Sequence, residues 1–105
     1  MPFATLLGMI DTGAPGTLVE PDVFRPLNME PFSFARLQTA STVQPLIRGQ
    51  YRARIVLAQD IAFEVDVVGG SLIGQDVQCL IGRGILQHVV LTYDGPRSRF
   101  SVKMP

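Results

Sequence analysis

The segment Leu7-Gly8-Met9-Ile10-Asp11-Thr12-Gly13-Ala14 joins an apolar run to a carboxylate, a hydroxyl and a glycine. The apolar run predicts a strand that ends at Asp11. Gly13 permits a tight turn or a close backbone approach, and the small Ala14 leaves space beside the carboxylate. The same residues also make an ordinary turn at the end of a strand. By itself the segment therefore leaves two interpretations open, a positioned catalytic carboxylate and a plain turn.

A second informative segment follows about 70 residues later, Cys79-Leu80-Ile81-Gly82-Arg83-Gly84-Ile85-Leu86. Its apolar start predicts a buried strand, and the residues after Gly82 predict one short helix near residues 83–88. No stretch longer than about 12 residues keeps a helical apolar pattern free of glycine and proline, so little helix is expected.

The rest of the chain favours β structure. Polar and apolar residues alternate from Leu46 to Leu57 and again from Ile61 to Val68, which predicts a hairpin with one buried face. Strands at such short intervals indicate a mainly β fold, closed or folded over as a barrel. Further strands are predicted at Thr5–Ile10, Phe34–Thr39, Val77–Ile81, Val89–Tyr93 and Arg99–Val102.

Composition narrows the functional classes. With 105 residues, residues 1–105 are expected to form a single domain. Nine basic and nine acidic residues give a net charge of zero, which argues against a nucleic-acid partner. One cysteine and one histidine cannot supply a disulfide or a zinc tetrad, so no metal or cofactor is expected. The apolar start is too short to span a bilayer and lacks the basic residues of a secretory signal, so we expect no membrane partner and a cytoplasmic location.

The order and spacing of the two segments resemble those of the retropepsin-like aspartic protease family. The similarity extends from about Thr5 to Leu86. It implies a small closed β barrel that works as a homodimer and an endopeptidase that acts on a peptide or protein substrate. Each subunit would contribute one catalytic carboxylate, Asp11.

The resemblance also implies roles for neighbouring residues. Thr12, Gly13 and Ala14 would form the active-site loop, with Thr12 bonding across the dimer, and Gly82 and Arg83 would support that loop. A hairpin from Phe34 to Leu57 would act as a flap over the substrate. The flap tip would include Ala40, Ser41, Thr42, Val43 and Gln44.

Two features depart from the family pattern. The implied flap has no glycine between Phe34 and Arg48, which indicates a stiffer cover. Only ten residues precede Asp11, so we expect the family's extra N-terminal strand to be missing. The C-terminal strand near Arg99 to Met104 would then be the terminal strand available for dimerisation.

Several residues also allow interpretations other than the protease. His88 with Ser71 or Ser98 would make a serine hydrolase site, but no nucleophile-elbow sequence accompanies it. Cys79 lies in an apolar run, which predicts a core residue rather than a reactive thiol. The stripe of Arg48, Arg52 and Arg54 is expected to be a solvated strand face, or alternatively a flap surface that favours acidic substrates. A catalytically silent dimerisation or peptide-binding module stays open, as does the choice between a stand-alone peptidase and a polyprotein segment.

Overall fold

The computed structural model describes residues 3–37 and 46–105, which form a mainly β structure with one short α-helix. The strands and helices, in chain order, are β1 (Gly8–Ile10), β2 (Thr17–Val19), a 3-10 helix (Pro21–Val23), β3 (Ser33–Leu37), β4 (Leu46–Ala58), β5 (Ile61–Gly69), β6 (Cys79–Ile81), α1 (Arg83–Leu86), β7 (Val90–Asp94) and β8 (Arg99–Lys103). All seven predicted strands and the short helix are present, although β1 begins at Gly8 rather than Thr5 and β6 begins at Cys79 rather than Val77. Residues 38–39 of the predicted strand Phe34–Thr39 lie outside the described residues. The three-residue strand β2 was not predicted from the sequence.

Six strands form one mixed sheet in the order β1-β6-β2-β5-β4-β3, and β7 and β8 form a separate two-stranded sheet. Parallel pairing joins β1 to β6 and β2 to β5, while the other neighbours are antiparallel. Within residues 3–37 and 46–105 no sheet closes into a barrel, so the predicted closure is wrong for this part of the chain. The physical reason is that β1 and β3 lie at opposite edges of the sheet, and the last two strands pair only with each other.

The longest hairpin, β4 with β5, follows the alternation seen in the sequence. Arg52 and Arg54 are exposed, and Arg52 makes an ion pair with Asp66 across the strands, with 2.8 Å between Nε and Oδ1. Because side chains alternate along a strand, this arginine face lies opposite the face of Tyr51 and Ala53, which packs on the core. Arg52 and Arg54 thus lie on a solvated face, whereas Arg48 of the same stripe is half-buried.

The core lies where the centre of the sheet meets α1. The rings of Phe24 and Tyr51 stack with centroids 3.7 Å apart and an interplanar angle of 8°. Ile85 of α1 and Val67 of β5 are fully buried. The remaining buried members of this cluster are Val19, Cys79 and Ile81. This packing fixes β1, β6 and α1 relative to one another, and these are the elements that carry the two sequence motifs.

Candidate active site

Asp11 is the first residue after β1, where the parallel pairing with β6 ends. Its backbone N–H donates to Ile81 O at 2.9 Å, which is the last bond of that ladder. The chain then turns, because Ala14 N–H donates to Asp11 O at 3.2 Å and Gly13 N–H donates to the carboxylate oxygen Asp11 Oδ1 at 3.0 Å. The last bond is an Asx-type turn, in which a carboxylate binds the backbone two residues later. The carboxylate is therefore oriented by its own loop, and it is only half-buried.

The loop after Asp11 is attached to the start of α1 through backbone hydrogen bonds. Arg83 N–H donates to Ala14 O at 2.8 Å, and Gly84 N–H donates to Pro15 O at 3.0 Å. These two N–H groups belong to the first turn of a helix, where no partner within the helix is available. The loop after Asp11 thus supplies acceptors for the N–H groups at the start of α1, and these two hydrogen bonds in turn hold the loop in place.

Gly82 packs closely against the same loop. A Cβ atom added at Gly82 would lie 2.1 Å from Gly16 O and 2.7 Å from Ala14 O, both of them backbone atoms. The backbone of Gly82 is extended, with φ −97° and ψ −172°, which any residue adopts. A glycine is therefore required here by the close approach of two backbone segments and not by its conformation.

The side chain of Arg83 adds a further connection. Its Nη1 donates to Thr12 O at 2.9 Å, between residues 71 positions apart in the chain. The guanidinium group is exposed, so this bond acts on the outer side of the loop. Because the bond holds the residue next to Asp11, Arg83 restricts the loop directly beside the carboxylate.

The structure brings together six of the residues that the sequence singled out: Asp11, Thr12, Gly13, Ala14, Gly82 and Arg83. The five residues of the implied flap tip, 40–44, lie outside the described residues, while the stem of that hairpin is present as β3 paired with β4.

One supporting residue was missed. Thr17 is buried, and its Oγ1 accepts a hydrogen bond from Gly82 N–H at 3.4 Å. No sequence motif marks Thr17, because its role depends on the pairing of β2 with β6.

His88 and Cys79, the candidates for a different catalytic chemistry, lie in surroundings unlike those of Asp11. His88 is exposed and its ring stacks on Phe63, with centroids 5.8 Å apart. Cys79 lies in the core, and burial raises the pKa of its thiol above the ordinary value of 9.0. A raised pKa keeps the thiol protonated at neutral pH, which disfavours nucleophilic chemistry. Cys79 is therefore a core residue, as its apolar flanks predict.

Residues 3–37 and 46–105 hold no group of three or more His, Cys, Asp and Glu side chains arranged to bind a metal ion. The same part of the chain has no helix that is long and apolar enough to cross a membrane. Comparisons with protein-family models, with curated proteins and with solved structures gave no match. The loop that carries Asp11 is therefore the feature of this chain that bears on its function.

Proposed function

We propose that this chain is one subunit of a homodimeric aspartic endopeptidase of the retropepsin-like type, with Asp11 as its catalytic residue. The observation that carries the proposal is the position of Asp11 at the end of β1, with its carboxylate held by Gly13 N–H in a loop that is bonded to the start of α1. A plain turn would not need this support from residues 70 positions away. Such rigid positioning is what catalysis requires of an acid/base group.

The mechanism needs a second carboxylate, because one carboxylate cannot both activate water and polarise the substrate. In the proposed dimer Asp11 of each chain faces its symmetry mate. Two carboxylates about 3 Å apart share one proton, since both cannot ionise at that distance. The ionised group takes a proton from a water molecule, and the protonated group donates a hydrogen bond to the scissile carbonyl oxygen. The water oxygen then attacks the carbonyl carbon, and a proton passes to the leaving amine.

The neighbouring residues have supporting roles in this proposal. Thr12 follows the carboxylate and would meet its counterpart in the second subunit. Arg83 and Gly82 hold the loop in place through the Thr12 carbonyl and through close backbone packing. The hairpin of β3 and β4 would cover an extended peptide substrate. A closed barrel of the family type would require strands beyond the open sheet described above.

The direct test is Asp11→Asn, which keeps the shape of the side chain and removes its acid/base function. We expect cleavage of a denatured protein substrate to be abolished, with an unfolding midpoint near that of the wild type. Asp60→Asn is the matched control, because Asp60 is an exposed aspartate in the turn between β4 and β5 and its loss changes the net charge equally. Asp60→Asn is expected to retain full activity.

Mixing wild-type and Asp11→Asn chains provides an independent test of the two-chain mechanism. When equal amounts pair at random, only about one quarter of the dimers carry two intact carboxylates, as expected for a two-fold symmetric dimer. Specific activity should then fall to about half of the value that simple dilution of the wild type predicts. Cleavage that survives Asp11→Asn would refute the assignment, and binding of peptides without any cleavage by the wild type would favour the silent module.

A further inference from the structure

The outer edge of β1 is an unpaired strand edge. Leu7 O accepts a hydrogen bond from Gln78 N–H at 2.9 Å, and Asp11 N–H donates to Ile81 O, so these backbone groups point toward β6. Backbone groups alternate in direction along a strand, so those of Gly8 and Ile10 point away from β6. Among the described residues no strand forms a ladder with β1 on that side. Exposed strand edges of this kind are sites where another chain can pair.

The hairpin of β7 and β8 presents an apolar face that is only partly covered. Tyr93 lies opposite Phe100 in the hairpin register, and Leu91 lies opposite Val102, so these four side chains share one face. Tyr93 is 75% exposed and Phe100 is 56% exposed. The opposite face carries the polar pairs Thr92 with Ser101 and Asp94 with Arg99. A hairpin with this pattern has an apolar side that is suited to packing and a polar side that is suited to water.

A groove of about 600 Å³ lies between the β1 edge and the apolar face of the hairpin. Its lining includes Leu7, Met9, Tyr93 and Phe100, and no charged residue of the described chain contributes to it. Thr12 also lines the groove, so the groove continues directly into the loop that carries the catalytic carboxylate. We call the five residues Leu7, Met9, Leu91, Tyr93 and Phe100 the edge–hairpin patch.

We infer that the edge–hairpin patch is the surface on which a second copy of this chain docks, an inference that rests on the proposed function. The continuity of the groove with Thr12 is the first argument, because the proposed dyad requires the two copies to meet at that loop. A two-fold axis beside Thr12 brings the same patch of both copies to the interface, which is the self-complementary arrangement of symmetric dimers. The occupant is therefore the symmetry mate.

The exposed area of the patch is the second argument. An aromatic side chain has about 150–250 Å² of surface, so Tyr93 and Phe100 together expose about 200–330 Å² in each chain. Leu7 and Met9 are 60% and 43% exposed. With them, the exposed apolar area of the patch in two chains together is about 700–1,000 Å². A stable complex buries about 1,200–2,000 Å² in total. The patch provides most of the area of a weak dimer, and contacts of the Thr12 loops add to it.

The experiment compares two phenylalanines of nearly equal exposure. Phe100 is 56% exposed within the patch, and Phe32 is 57% exposed outside it, just before β3. The dimer dissociation constant is measured by sedimentation for the wild type, Phe100→Ala and Phe32→Ala. We expect Phe100→Ala to raise it by about tenfold or more, because each dimer loses two buried rings, and Phe32→Ala to change it by less than about twofold. Tyr93→Arg serves as a second variant, because Tyr93 is so exposed that the monomer has little packing to lose.

The outcomes separate this inference from the proposed function. A dimer that is weakened selectively by Phe100→Ala and Tyr93→Arg supports the interface, whether or not the protein cleaves peptides. A dimer that tolerates both variants overturns the interface, even if Asp11-dependent cleavage is observed. A wild type that stays monomeric at all accessible concentrations also overturns it, including the case in which the monomer binds an apolar peptide in the groove. Unfolding curves of each variant show whether a change reflects the interface or a damaged monomer.

Discussion

Gly82→Ala tests the close packing of the active-site loop against the helix start. The added methyl carbon would lie 2.1 Å from Gly16 O, whereas real Cβ atoms essentially never approach closer than 3.0 Å. Both oxygens that it meets are backbone atoms, so no side chain can rotate to make space. The loop and the helix start must separate, and the hydrogen bonds from Arg83 N–H to Ala14 O and from Gly84 N–H to Pro15 O are weakened with them.

The magnitude follows from these two losses. Overpacking costs about 1–3 kcal/mol, and two backbone hydrogen bonds contribute about 1 kcal/mol each. Together they predict that Gly82→Ala lowers the free energy of unfolding by about 3–5 kcal/mol, a large part of the 5–15 kcal/mol typical of a domain. The extended backbone of residue 82 suits alanine, so none of this loss comes from an unfavourable conformation. In urea the unfolding midpoint should fall by about 1.5 M or more for a slope near 2 kcal/mol per M.

Gly84→Ala is the matched control for this prediction. A Cβ atom at Gly84 meets only Pro15 O, at an ordinary contact distance of 3.6 Å. Because Gly84 lies in α1, alanine is expected to leave the protein unchanged or to stabilise it by up to about 1 kcal/mol. The reasoning is refuted if Gly82→Ala unfolds within about 0.5 kcal/mol of the wild type and of Gly84→Ala.

Two further predictions concern Arg83 and Cys79. Arg83→Lys should remove the fixed bond to Thr12 O, because a lysine ammonium does not reproduce the guanidinium geometry. It should lower kcat/KM severalfold while costing only about 0.5–1 kcal/mol of stability, and an unchanged kcat/KM would contradict the role of Arg83 in holding the loop. Because burial raises the pKa of the Cys79 thiol, a thiol reagent at pH 8 should modify the native protein at least about tenfold more slowly than the urea-unfolded chain. The contribution of the Cys79 thiol to the free energy of unfolding is fully present below about pH 9 and declines above it, because the thiol of the unfolded chain ionises first. Equal modification rates in the native and unfolded protein would show that Cys79 is accessible.

Local patterns in the sequence predicted the secondary structure of those segments whose own residues determine it. The alternation in β4 and β5 predicted both strands and their solvated arginine face, because side chains on a strand alternate between two environments. The glycine before α1 marked the end of β6 and the start of the helix. The position of Asp11 at the end of a strand followed in the same way from an apolar run that meets a turn.

Tertiary structure decided whatever depends on residues far apart in the chain. The three-residue strand β2 is too short to show a periodic pattern, and it is a strand because it pairs with β5 and β6. The sheet is open because β1 and β3 lie at its opposite edges and do not pair, and short strand spacing does not specify that order.

The same distinction applies to the site. The sequence predicted the candidate site residues, but only folding shows that Gly82 lies against the backbone of the loop and that Arg83 reaches Thr12. Only folding also leaves Tyr93 and Phe100 exposed beside an edge of β1 with which no strand of residues 3–37 and 46–105 pairs. Their apolar character is plain in the sequence, yet burial is a property of what packs against a side chain, and that is set by the arrangement of the whole chain.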